Sequence, residues 1–225
     1  MEQINTVKEF FEVFSIYRNS TQYKFRGQSK LGWPLIPKVA RKPFDPKHDY
    51  EIFRNWKRRA KGLLNKESSS EIDLLSIAQH HGLATRLLDW TMNPLIAAFF
   101  ACNNHFGHDA ELFIVKSAVI HSEKIKNPFQ EKAESITFIQ PDGTSLRLNN
   151  QFGYFSLHSP ANQEITRQNQ PSLESIIIPK DIKRELLFAL NQYGTNNLSV
   201  YPDIEGLTKH LNWFYSNYNE WDNSN

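Results

Sequence analysis

The sequence has one cysteine, Cys102, in 225 residues. A single thiol closes no internal disulfide, which excludes the disulfide framework of small secreted domains. No apolar run approaches the roughly 20 residues that span a bilayer as a helix; the longest, 95–102, has eight. The first eight residues are polar and lack the apolar core of a signal peptide. The expectation is a cytoplasmic protein with no membrane partner. Charge of neither sign dominates: 26 Lys+Arg against 24 Asp+Glu give a net +2. That excludes binding nucleic acid through bulk charge alone, but leaves a local basic patch open. GxSxG, Walker, GxGxxG and HExxH patterns are missing, and with them those signatures of nucleophile, phosphate, dinucleotide and zinc chemistry.

What is present is apolar and aromatic. Hydrophobic residues make up 40% and Phe alone numbers 16, enough to bury a core and too much for a disordered chain. With no internal repeat or long linker, one domain over 1–219 is expected, with a frayed tail at 220–225. Thr6 and Glu9 form a capping-box pattern, and Val7, Phe10, Phe11 and Phe14 follow at helical spacing. Tyr23-Lys24-Phe25-Arg26-Gly27-Gln28 alternates as a strand. Gly27 allows close backbone approach. Arg26 beside it either clamps a phosphate or carboxylate bidentately or is an ordinary solvated arginine. Residues 47–64 read as a helix with Tyr50, Phe53, Trp56 and Ala60 near one face. Arg54, Lys57, Arg58 and Lys61 are either its wet face or a set of contacts to nucleic-acid phosphates.

The central block is Gln79-His80-His81-Gly82-Leu83-Ala84-Thr85-Arg86-Leu87-Leu88-Asp89-Trp90-Thr91-Met92-Asn93-Pro94. A helix over 71–81 ends at Gly82, a C-cap glycine. Residues 85–89 make a short strand, and Asn93 with Pro94 opens a helix that is apolar all round and therefore buried. Asp89, Trp90 and Thr91 fall in the turn between them. Trp90 either stacks on a base or nicotinamide-like ring or plugs the core. Asp89 accepts from a ribose hydroxyl, orients Arg86, or simply pairs with it. His80 and His81 point about 100° apart on a helix and make no shared ligand pair. One of them can serve as a general base beside Gln79. His105-x-x-His108 has metal-like spacing without a carboxylate framework, so no metal is expected. Further strands are expected at 110–116, 135–140, 150–157 and 174–178, a turn at 141–144, and helices at 181–192 and from about 203 to 217. Leu207, Leu211, Phe214 and Tyr218 of the last helix are expected to face inward. The class is α+β.

Phe25-Arg26-Gly27, the block from Gln79 to Thr91, Asn93-Pro94, Gln151-x-Gly153-x-Phe155 and Tyr201-Pro202-Asp203-x-x-Gly206 together resemble the FRG domain family. The family has Pro where Ala84 stands here. The resemblance implies a prokaryotic or phage setting with a toxin or antiviral-defence character, and with it an antitoxin or defence-system partner. The order of Arg26, Trp90-Thr91 before a helix, and Gln151 on a later strand also resembles the arginine-type ADP-ribosyltransferases. That second resemblance implies a mixed, split β-sheet core with surrounding helices and a nucleotide pocket taking NAD. Arg26, Gly27, Gln79, Arg86, Trp90 and Thr91 then hold the cofactor, and Asp89, Gln151 and His80 stand at the chemistry. Gln151 occupies the place of that family's catalytic glutamate and lacks its charge. The implied activity is ADP-ribosyl transfer or NAD cleavage, with a protein or nucleic acid as acceptor. The alternatives are a non-catalytic nucleotide- or nucleic-acid-binding module and a protein-interaction or regulatory domain.

Overall fold

The computed structural model describes residues 2–64, 70–130, 134–141 and 150–217. In chain order the elements are β1 (Glu2–Gln3), α1 (Val7–Ser15), β2 (Tyr23–Gln28), α2 (Asp49–Ala60), α3 (Glu71–His80), β3 (Leu87–Thr91), α4 (Pro94–Cys102), β4 (Ala110–Lys116), β5 (Ile120–His121), β6 (Ser135–Gln140), β7 (Gly153–Ser159), β8 (Glu174–Ile178), α5 (Lys183–Gln192), α6 (Asn197–Val200) and α7 (Ile204–Ser216). The strands form one mixed eight-stranded sheet in the order β1-β8-β4-β2-β3-β7-β6-β5. Pairing is parallel at the two margins and antiparallel between. The class is α+β, and the sheet is continuous rather than split. Continuity at the centre rests on one register pair, Phe25↔Thr91, between β2 and β3.

Strand alternation sorts side chains to two faces. On one face, Phe25, Leu112, Ile114, Ile176 and Ile178 pack under α1, α4 and α5. Leu87, Phe155, Leu157 and Ile139 carry α2 and α3 further along that face. The opposite face, with Leu88, Trp90, Phe113, Val115 and Phe138, is covered by Leu35, Ile165 and Leu173 from non-helical segments. The all-apolar α4 is buried as its composition requires, and Asn93 caps it by accepting from the Leu95 amide at 2.9 Å.

Several elements sit differently from expectation. The central strand begins at Leu87 because Thr85 is already engaged. Its hydroxyl accepts from the Leu87 amide, and its carbonyl accepts from Val39. Trp90 and Thr91 stay in the strand because β7 pairs with them at Tyr154 and Gly153. The basic helix runs only over Asp49–Ala60, after a 3-10 turn capped by Asp45, and Tyr50 is exposed rather than inward. The last helix buries only Gly206, leaving Leu207 at 37% and Leu211 at 45% exposure. Its start explains the Tyr201 to Gly206 motif: Asp203 accepts from the Gly206 amide at 2.8 Å, and a Cβ on Gly206 would meet the Tyr201 carbonyl. Tyr218, the tail at 220–225 and most of the 141–144 turn lie outside the described residues.

Candidate functional site

The site is built where β2 and β3 part. Beyond Phe25↔Thr91 the two strands share no further register, and the Arg26 guanidinium spans the gap. Its Nη1 donates to the Asp89 carbonyl at 2.7 Å and lies 3.9 Å from the Asp89 carboxylate. These residues, 63 positions apart in sequence, are therefore neighbours in the fold. Asp89 sits on the helix-covered face, at the seam between the α4 group and the α3 group. Its carboxylate is 64% exposed while the Arg26 side chain is 15% exposed.

The carboxylate is held from the side. Gln79, near the end of α3, donates from Nε2 to Asp89 Oδ1 at 3.0 Å and to the Leu87 carbonyl at 3.2 Å. The Thr85 hydroxyl donates to Gln79 Oε1, which fixes the amide so that its NH2 end faces Asp89. Arg41, anchored by two donations to the Ile36 carbonyl at 3.1 and 2.8 Å, adds a second positive charge that acts on both Arg26 and Asp89. Burial pulls the Arg26 pKa down to about 10, with Asp89 opposing and Arg41 adding to the shift. The group stays charged at neutral pH. Its buried Nε has no hydrogen-bond partner among the described residues. Such a group is costly to leave unsatisfied.

Other residues expected at the pocket are committed elsewhere. Trp90 is 3% exposed, tilts against Phe138 and donates its indole N–H to Ser156 at 3.0 Å. It is a core ring with no face open for a ligand. The Thr91 hydroxyl donates to the Gln151 carbonyl at 2.6 Å and accepts from the Asn93 amide at 3.0 Å, so it ties the strand to the helix cap. Gln151 precedes β7, and its amide donates to the Val200 carbonyl at 3.1 Å. Arg86, which precedes β3, is buried in an ion pair with Asp49 and donates to the Pro128 carbonyl at 3.2 Å. Gly27 approaches a backbone closely, but that of α4: an added Cβ would stand 1.9 Å from the Ala97 carbonyl oxygen. His80 ends α3 one residue after Gln79, its ring edge-on to His81. On α2, Arg54 and Arg58 are exposed, as is Lys61 just past its end, while Lys57 pairs with Glu71 at 2.7 Å. No cluster of three metal-ligating side chains occurs among the described residues.

The sequence reading missed Arg41 and a buried polar chain beneath the cleft. His158 Nδ1 lies 2.6 Å from the Gln163 carbonyl, which can only accept, so this nitrogen carries the proton. Nε2 then accepts from the Ser156 hydroxyl at 2.8 Å, and that oxygen accepts from Trp90. The clue available was the i, i+2 spacing of Ser156 and His158 on one strand, which puts both on the buried face. Burial, with the charges of Arg26 and Arg86, lowers the His158 pKa to about 4 against the opposing Gln163 bond. The unfolded state therefore binds the extra proton first, as pH falls below the ordinary histidine value of about 6.5. Stability from this group is full above about pH 6.5 and drains as pH falls toward about 4. The loss amounts to about 3 kcal/mol. Urea midpoints measured across that window should fall more steeply for wild type than for His158→Asn. Parallel curves would show that His158 titrates as it does in the unfolded chain.

A family model described as the FRG domain matches residues 21–110. This segment, from β2 to the first residue of β4, is an FRG domain, and it contains Arg26, Arg41, Gln79, Thr85 and Asp89. Gln151, His158 and the Tyr201 to Gly206 motif lie beyond it. No curated protein and no solved structure matches the chain. No described helix is long and apolar enough to cross a membrane.

Proposed function

We propose that the FRG domain binds NAD or a related nucleotide at the Arg26–Asp89 cleft and breaks its nicotinamide–ribose bond, by ADP-ribosyl transfer or NAD cleavage. The observation that carries this reading is the pairing of an exposed carboxylate with a mostly buried guanidinium whose Nε is unsatisfied. Arg26 and Arg41 give the pyrophosphate two cationic partners. Asp89, steadied by Gln79, places negative charge where an oxocarbenium ion develops as the C–N bond lengthens. The role once expected of Gln151 falls to Asp89. A fold related to the ADP-ribosyltransferases and a toxin or phage-defence setting belong to the same proposal, with cellular NAD as the pool consumed.

Calorimetry with NAD and mass spectrometry for released nicotinamide or a modified acceptor test it. Asp89→Asn should keep the melting temperature and NAD binding while losing nicotinamide release. Arg26→Lys should weaken NAD binding about 10- to 150-fold, the equivalent of one charge-assisted hydrogen bond, because an ammonium cannot reproduce the planar fork. Neither binding nor release at millimolar NAD, with protein and nucleic-acid acceptors present, would defeat the reading.

A further inference from the structure

A second cluster lies just past the end of β2 and takes no part in the cleft. Trp33 is 38% and Phe106 41% exposed. His105 is edge-on to Trp33 with ring centroids 5.3 Å apart, and Lys30 lies 5.8 Å from the Trp33 ring. Arg184 lies 5.5 Å from the Phe106 ring. The two aromatics come from separate loops, 29–37 and 103–109, yet these loops are fixed to one another. The Leu31 amide donates to the Asp109 carbonyl at 2.8 Å, and Ser29 Oγ bonds His105 Nδ1 at 2.8 Å.

The main fastening is Lys183. Its side chain is fully buried, and its ammonium donates to the carbonyls of Asn104, His105, Ser29 and His108 at 2.7, 3.1, 3.2 and 3.3 Å. Burying an ammonium without a bonded carboxylate is costly. Here the carbonyls of both loops replace its water. The result is a rigid base under two exposed rings, with cations beside each.

We infer that this surface binds single-stranded nucleic acid, stacking bases on Trp33 and Phe106 and setting phosphates against Lys30 and Arg184. Rings held in place bind flat partners with little ordering cost, and every base presents a π-face. Charge supports this occupant: Lys30 stands beside Trp33 and Arg184 beside Phe106, and Asp109 is turned to the Lys180 amide, from which it accepts at 2.9 Å. Stacking and phosphate contacts read no sugar, so DNA and RNA strands should bind alike, while a duplex hides its base faces.

Fluorescence anisotropy with labelled oligo(dT), oligo(U) and a matched duplex tests this, at salt between about 50 and about 200 mM. The two single strands should bind with similar affinity and the duplex more weakly. Trp33→Ala and Phe106→Ala should each weaken single-strand binding about 5- to 150-fold, the value of one stacked base. Lys30→Ala should reduce the log–log salt slope by about 0.7. All three variants should melt and bind NAD as wild type does, which separates this surface from the cleft. Absence of single-strand binding at low salt, equal binding of duplex, or unchanged affinity in both ring variants would overturn the inference.

Discussion

Gly27→Ala is expected to destabilise the protein by at least about 3 kcal/mol, the upper end for overpacking. For a chain of this size that lowers the melting temperature by about 6–12 °C or more. The added Cβ would lie 1.9 Å from the Ala97 carbonyl oxygen and 2.6 Å from the Ala101 amide nitrogen. Both are backbone atoms of α4, so no rotamer change relieves the clash. The helix must lift from β2, which opens the core formed by Phe25, Ala97, Ala98 and Ala101. Gly107→Ala is the control, since a Cβ there meets nothing within 4 Å. Coincident melts for Gly27→Ala and wild type would mean that α4 shifts off the strand freely. NAD binding should fall with the fold in Gly27→Ala, because the same lift displaces Arg26, the neighbouring residue.

This glycine shows where the sequence was legible and where it was not. That backbone approaches Gly27 closely was readable from a glycine closing an alternating strand. That the approaching backbone is a helix and not a ligand was not, because the contact joins residues about seventy positions apart. Asp89 and Arg26 were recognisable as candidates, and their convergence follows from a sheet order no local pattern encodes: β3 sits beside β2 and not at an edge. Trp90 misled because a tryptophan beside a polar turn has two physical uses. Only the parity set by β7 pairing, with Ser156 waiting for the indole N–H, decides for the core. The last helix misled in the opposite direction. The spacing of Leu207, Leu211 and Phe214 is helical, but Leu207 and Leu211 are left exposed, and Trp213, outside that set, packs against Phe188.

Asp49→Ala should cost about 3–5 kcal/mol, the usual penalty for stranding one partner of a buried ion pair. Asp49 is at the start of α2 and Arg86 precedes β3, and both are nearly inaccessible, at 6% and 3% side-chain exposure. The Arg86 guanidinium also lies over the Phe129 ring at 5.0 Å and donates to the Pro128 carbonyl. One side chain thus joins α2, the central strand and the 127–130 segment. Loss of Asp49 leaves its charge in a site without water or counter-charge. The double variant Asp49→Leu with Arg86→Met should recover most of the stability, since apolar replacements of a buried pair are often neutral. The exception is the Pro128 carbonyl, which would lose a donor at about 1–3 kcal/mol. Thermal melts of wild type, Asp49→Ala and the double variant compare the two costs. Well below each melting temperature, all three should bind NAD alike, because the Arg86 guanidinium is engaged by Asp49, the Pro128 carbonyl and the Phe129 ring rather than by Asp89. A Asp49→Ala protein that melts as wild type but loses NAD binding would return Arg86 to the pocket and remove it from the scaffold.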